Sequence, residues 1–131
     1  MSTEHIERAQ RLIHEFIDAV HRGDSDAARR TLAPGYELVF PGPTSFSDVA
    51  AIFEWFAKRY SFARYRYDHM DVIESPQRQI VYATGRVEGT LLSGKHFEGV
   101  RYIDRFDIVN GRIARKEVWT DMADFLRRNG L

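Results

Sequence analysis

GVRYIDRFDIVNGRIARKEVWTD, residues 99–121, decides the fold. Val100, Tyr102, Asp104, Phe106 and Ile108 fall on every second position, the period of a strand with one buried face. Asn110-Gly111 then supplies two residues that accept positive φ, the signature of a two-residue hairpin turn. Strands are therefore predicted over 96–109 and 112–120. The same alternation continues upstream over 79–92 and 63–73, punctuated by Ser93-Gly94 and Ser75-Pro76. Together these make a four-stranded antiparallel meander.

Before residue 62 the period becomes helical. Ile6, Ala9, Ile13, Phe16, Ile17 and Val20 form one stripe of a helix over 3–22, with Ser2 or Thr3 as cap and Gly23 past its end. A short helix runs from Ser25 to about Leu32, stopped by Pro34-Gly35, and a strand covers Tyr36 to Phe40, closed by Pro41-Gly42-Pro43. A third helix spans about Asp48 to Tyr60, capped by Ser47 or Asp48, with Val49, Ile52, Phe53, Phe56 and Tyr60 on its apolar face. Residues 122–131 form a short amphipathic tail. Helices followed by a meander specify an α+β domain. A sheet of long strands curls, so three N-terminal helices on its concave face enclose a conical space. The expectation is one cone-shaped domain over 1–131, with Phe16, Phe53 and Phe56 buried.

The 131 residues suit one ordinary domain with a proper core. Lys plus Arg number 19 and Asp plus Glu number 19. With no basic stripe to follow a phosphate backbone, nucleic acid is not expected as a partner. No apolar run reaches the roughly 18 residues of a membrane span, and MSTEHIERAQ lacks the features of a signal peptide. The absence of Cys excludes disulfides and thiol catalysis and fits a cytoplasmic location. No His-x-x-x-His pair, Gly-x-Gly-x-x-Gly or phosphate-binding loop is present, so neither a metal nor a cofactor is expected.

Two segments carry a resemblance. FIDAVHRGDSDAARRTLAPGYELVFPG, residues 16–42, resembles the helix, Gly-Asp turn, second helix and first strand of the nuclear transport factor 2-like superfamily. GVRYIDRFDIVNGRIARKEVWTDMADFL, residues 99–126, resembles the last hairpin of its SnoaL-like, polyketide cyclase-like branch. The resemblance implies a small-molecule pocket between sheet and helices and a homodimer packed through the convex face.

Two enzyme families of this fold can be compared residue by residue. Where steroid isomerases carry a catalytic Asp, a helix Tyr and a late-strand Asp, this chain has Phe40, Phe16 and, at or near the last position, Tyr102. Phe40 cannot take a proton and Phe16 cannot donate a hydrogen bond, so that chemistry is not expected. Arg86-Val87-Glu88 and Asp121 resemble the Arg-x-Asp motif and second Asp of limonene epoxide hydrolases, in which a cation holds two carboxylates in different protonation states. The residues that hold the attacking water there fall here on Leu38 and Phe40. Arg86 and Glu88 also share a face with Tyr82 and Thr84, opposite Val81, Ala83, Val87 and Leu91, which looks more like the core face, so the two can instead be an ion pair at a dimer interface.

Asp104, set in an apolar face, is a candidate acid or base whose pKa burial raises. Its alternatives are a cross-sheet salt bridge or a polar interface position. Asp121 is either a pocket carboxylate at the cone's mouth or the cap of the tail. His69 is the one histidine placed to reach a pocket, among Tyr65, Tyr67 and Asp71. Trp55 lies off its helix's stripe, and Trp119 shares a face with Asp121; each can line a pocket or cover a dimer seam. The expected pocket is lined by Phe40, Trp55, Tyr67, Tyr82, Tyr102 and Trp119, with Asp121 its leading carboxylate. Ile103, Val109 and Val118 are expected under a second copy.

Two functions remain open. One is a cofactor-independent enzyme that isomerises, cyclises or hydrates a small, mostly apolar substrate through Asp121, Asp104, Arg86 and Glu88. The other is a non-catalytic small-molecule-binding homodimer.

Overall fold

The computed structural model describes residues 3–130. Its elements are α1 (Thr3–Arg22), α2 (Ser25–Arg30), β1 (Leu32–Phe40), β2 (Thr44–Phe46), α3 (Val49–Ala57), β3 (Tyr60–Glu74), β4 (Gln79–Leu91), β5 (His96–Val109), β6 (Arg112–Thr120) and α4 (Met122–Arg128). Ser2, one of the two caps considered for α1, and Leu131 of the tail lie outside the described residues.

The architecture is α+β. Six strands form one curved sheet in the order β2-β1-β6-β5-β4-β3. The meander β3–β6 is antiparallel with the expected hairpins, and Asn110 and Gly111 both take positive φ. The sheet is not wholly antiparallel, however: β1 runs parallel to β6. Alternation identifies a strand but not its distant neighbour, and here the first long strand lies beside the last. α2 ends at Arg30, short of Leu32, and Pro34-Gly35 lies beyond it in a bulged opening of β1, whose register shifts between Leu32 and Glu37. Pro41-Gly42-Pro43 turns the chain back into β2, a short edge strand that sequence periodicity did not reveal.

Ala9, Ile13, Phe16 and Ile17 of α1 are buried, as the helical stripe requires. Asp24 and Asp48 cap α2 and α3, accepting from the Ala27 and Ala50 amides at 3.0 and 3.1 Å. Phe16 is buried, whereas Phe53 and Phe56 are only half-buried. Two glycines let the sheet curl. A side chain at Gly85 or Gly89 would strike the Arg66 or Phe62 carbonyl of β3, and would come within 2.9 Å of the Tyr102 hydroxyl or the Phe97 ring. No helix among the described residues is long and apolar enough to cross a membrane.

Candidate functional site

The concave face encloses an apolar cavity of about 530 Å³, a volume within the range of small-molecule sites. Phe40 of β1, Trp55 of α3, Tyr65 of β3, Val87 of β4, Tyr102 of β5 and Val118 of β6 form its walls, and Met122 and Leu126 of α4 stand at one side. The aromatic wall is continuous. Phe40 packs against Trp55 and Phe56 with ring centres 5.4 and 5.6 Å apart, and the Arg59 guanidinium lies 3.9 Å from the Trp55 ring centre. Arg59 is held there by donating to the Trp55 carbonyl at 3.1 Å. None of the cavity's lining side chains is a carboxylate or histidine.

Arg59, Ser93, Thr120, Tyr60, Tyr65 and Tyr102 are its polar residues, and among them Tyr102 is the most deeply buried. The ring lies over Gly85 and meets Tyr65 edge-on, centres 5.1 Å apart. The hydroxyl is buried with no hydrogen-bond partner among the described residues. Burial, reinforced by Asp104, raises its pKa, so it remains a neutral donor.

Asp104 lies on the same inner face, one inward step along β5, and is 1% exposed. Tyr67 donates its hydroxyl to Asp104 Oδ2 at 2.7 Å, and Lys116 Nζ approaches the same oxygen at 3.7 Å. Asp104 Oδ1 has no partner among the described residues. Desolvation raises the Asp104 pKa against the opposing pull of Lys116 and Tyr67, and desolvation lowers that of Lys116 against the pull of Asp104. Three phenyl rings surround the amine: Phe40, Phe16 and Phe106, with centres 4.9, 5.9 and 6.0 Å from Nζ. Phe40 and Phe16, the positions at which steroid isomerases carry catalytic groups, here enclose a lysine.

The remaining sequence candidates lie on the opposite, outer face. Arg86 makes two bonds to Asp68, at 3.0 and 3.2 Å, and Glu88 lines a shallow outer hollow with Arg64 and Arg66. Strand pleating puts Val81, Ala83 and Val87 inward and therefore Tyr82, Arg86 and Glu88 outward. Arg105 lies over the Tyr82 ring at 5.9 Å, and His69 Nε2 lies 2.8 Å from Asp71 Oδ1 at the surface. Asp121 accepts from Arg101 Nε at 2.7 Å. It occupies the N-cap position of α4 without capping it; the Thr120 hydroxyl accepts from the Met122 amide at 3.3 Å instead. The Arg86, Glu88 and Asp121 trio is thus not gathered around the cavity, and neither are Tyr82, His69 and Trp119. Val118, expected beneath a second copy, faces inward and is buried.

Lys116 went unremarked in the sequence, and Tyr65 entered only as a neighbour of His69. Continuing the hairpin without interruption from the Val109–Arg112 pair places Glu117 opposite Asp104. A bulge between Asp107 and Ile108 shifts the register, so that Val118 opposes Asp104 and Lys116 opposes Phe106. That single extra residue turns Lys116 to the inside. No group of three or more His, Asp or Glu residues able to hold a metal ion occurs among the described residues.

Comparison with known proteins places this geometry in context. The SnoaL-like domain family matches residues 13–116. No curated protein sequence matches the chain. Solved structures do. An NTF2-like protein of unknown function from Burkholderia pseudomallei is 22% identical, with 97% of each chain covered and a TM-score of 0.75. TerC, co-crystallised with polyporic acid, is 20% identical over 92% of this chain and 96% of its own, at a TM-score of 0.72. An NTF2-like protein from Burkholderia thailandensis is 21% identical over 89% and 93%, also at 0.72. At these identities the likeness is one of fold.

Proposed function

The chain belongs to the SnoaL-like domain family, and from that premise we propose that it is a binding protein for a small, mostly apolar molecule bearing a carbonyl or hydroxyl oxygen. The observation that carries this reading is the cavity itself: about 530 Å³, walled mostly by aromatic and aliphatic side chains, with Arg59, Ser93 and Thr120 but no carboxylate or histidine among them. Its apolar lining supplies affinity by desolvation, and the unpaired Tyr102 hydroxyl orients the ligand by donating to its oxygen. That a structural neighbour, TerC, was co-crystallised with polyporic acid is consistent with a small organic ligand in this fold.

An acid–base activity is the second reading, and one observation favours it. Asp104 lies just beneath the cavity wall with a raised pKa and an unpaired Oδ1, the properties of a general acid. We propose further that a second copy covers the outer face, where Ile103 and Trp119 are 44% and 49% exposed between the Arg86–Asp68 and Arg101–Asp121 pairs.

The binding reading is tested by titrating the protein with anilinonaphthalene sulfonate and repeating the titration on Ala123→Trp. Ala123 is an exposed residue of α4 beside the cavity, so the new ring blocks access without entering the core. The expected result is a loss of affinity of about tenfold or more, the order of one displaced aromatic contact. Equal binding by both proteins would exclude the cavity as the site.

A further inference from the structure

We propose that Lys116 captures aldehydes or ketones entering the cavity as an imine, which makes the domain a covalent, reversible carbonyl trap. This rests on the reading of the cavity as a site for small apolar molecules.

The chain has three lysines. Lys58 and Lys95 are exposed, whereas the Lys116 side chain is 6% exposed. Its amine lies beneath the cavity wall: Phe40, whose ring centre is 4.9 Å from Nζ, lines the cavity, and so does Val118, two residues along the same strand. Phe40 thus borders both the amine and the cavity, and capture requires its ring to turn aside. The amine's ion pair is loose, since the 3.7 Å separation exceeds hydrogen-bonding distance and Tyr67 already holds the shared oxygen at 2.7 Å. Burial lowers the Lys116 pKa against the pull of Asp104, which raises the share of the nucleophilic amine that Schiff-base chemistry by lysine requires. A buried ion pair serving stability alone would account for Asp104 and Lys116. It does not account for Oδ1 being left without a partner among the described residues in a fully buried carboxyl group.

The chemistry balances without a co-reactant. The neutral Nζ lone pair attacks the carbonyl carbon, and the carbonyl π electrons move to oxygen. One amine proton passes to that oxygen, giving a carbinolamine. The Asp104 carboxylic acid donates its proton to the carbinolamine hydroxyl, which leaves as water while the nitrogen lone pair forms the C=N bond. The products are one water, a protonated imine and the Asp104 carboxylate beside it. Water reverses every step.

The test uses benzaldehyde as carbonyl probe and benzyl alcohol as its non-carbonyl counterpart. The protein is incubated with benzaldehyde and cyanoborohydride near neutral pH, and the benzylated sites are mapped by peptide mass spectrometry. Lys116 should be labelled faster than the exposed Lys58 or Lys95. Excess benzyl alcohol should suppress that label. Labelling confined to Lys58, Lys95 and the N-terminus, while benzyl alcohol still perturbs the Trp55 indole resonance, overturns the imine and leaves the cavity reading intact. Absence of any response to benzyl alcohol overturns both. Lys116→Met should bind benzyl alcohol and lose the label in that segment, and the site map of the unmodified sequence decides the question even if this variant folds poorly.

Discussion

Tyr102, Asp104 and Asp107 lie within six residues on β5, yet the fold treats their polar atoms differently. Asp107 is held by both Arg78 and Arg105, at 2.8 and 2.9 Å, whereas Tyr102 and Asp104 each keep a buried oxygen without a partner among the described residues. An unpaired buried hydroxyl contributes nothing to folding, and removing it removes only a desolvation penalty. Tyr102→Phe should therefore leave unfolding free energy unchanged or raise it by up to about 1 kcal/mol, while weakening an oxygen-bearing cavity ligand about five- to tenfold. Calorimetric titration against the parent protein measures the second effect, and an unaltered affinity removes Tyr102 as the anchor. The Asp104–Lys116 pair also makes a prediction about pH. Asp104 is held above its ordinary 3.8, so its burial is harmless while it is protonated, and stability falls as pH rises from there through its folded value. Lys116 is held below its ordinary 10.5, so stability is lost as pH falls from there through its folded value. Urea unfolding across pH should show the pair's contribution lowest between these limits. Asp104→Asn should abolish the acid-side decline and Lys116→Met the alkaline-side rise. Superimposable profiles for the parent protein and Asp104→Asn would contradict the penalty.

At the scale of elements, bends and bulges position the site. β4 carries glycine at 85 and 89 where β3 passes too close for a side chain. Gly85→Ala should cost about 1–3 kcal/mol or more, the range of an overpacked site, and should displace the Tyr102 ring above it. Chemical denaturation measures the loss; a change below about 0.5 kcal/mol, the scale of ordinary surface substitutions, would show that β3 yields easily. The helix starts offer a second contrast. Asp24→Ala removes a cap that accepts from Ala27 and should cost about 1 kcal/mol. Asp121→Ala occupies the corresponding position of α4 but removes only an exposed pair with Arg101, so its cost should stay under about 1 kcal/mol. A loss at Asp121 clearly greater than at Asp24 would reveal a role that the cap geometry does not show.

For the whole molecule, the curved sheet separates an apolar interior from an outer face carrying Ile103 and Trp119 among paired charges. If that face is a two-fold interface, Ile103→Glu brings a charge into it twice, once from each copy. Light scattering at micromolar concentration should show a dimer for the parent protein and a monomer for Ile103→Glu, with cavity binding retained. A monomeric parent protein removes the interface.

The sequence by itself determined whatever depends on short range. Alternation marked the meander, Asn110-Gly111 fixed its last turn, and the pleat of β4 already separated Val81, Ala83 and Val87 from Arg86 and Glu88. It also placed Asp104 on the apolar face, because side chains two residues apart on a strand share a side. Only the tertiary structure decided what Asp104 meets there. The bulge after Asp107 turned Lys116 inward, and the parallel seating of β1 beside β6 brought Phe40 over its amine. Both depend on pairing between distant strands, where a shift of one residue exchanges the two faces of a sheet and no local periodicity records which register wins.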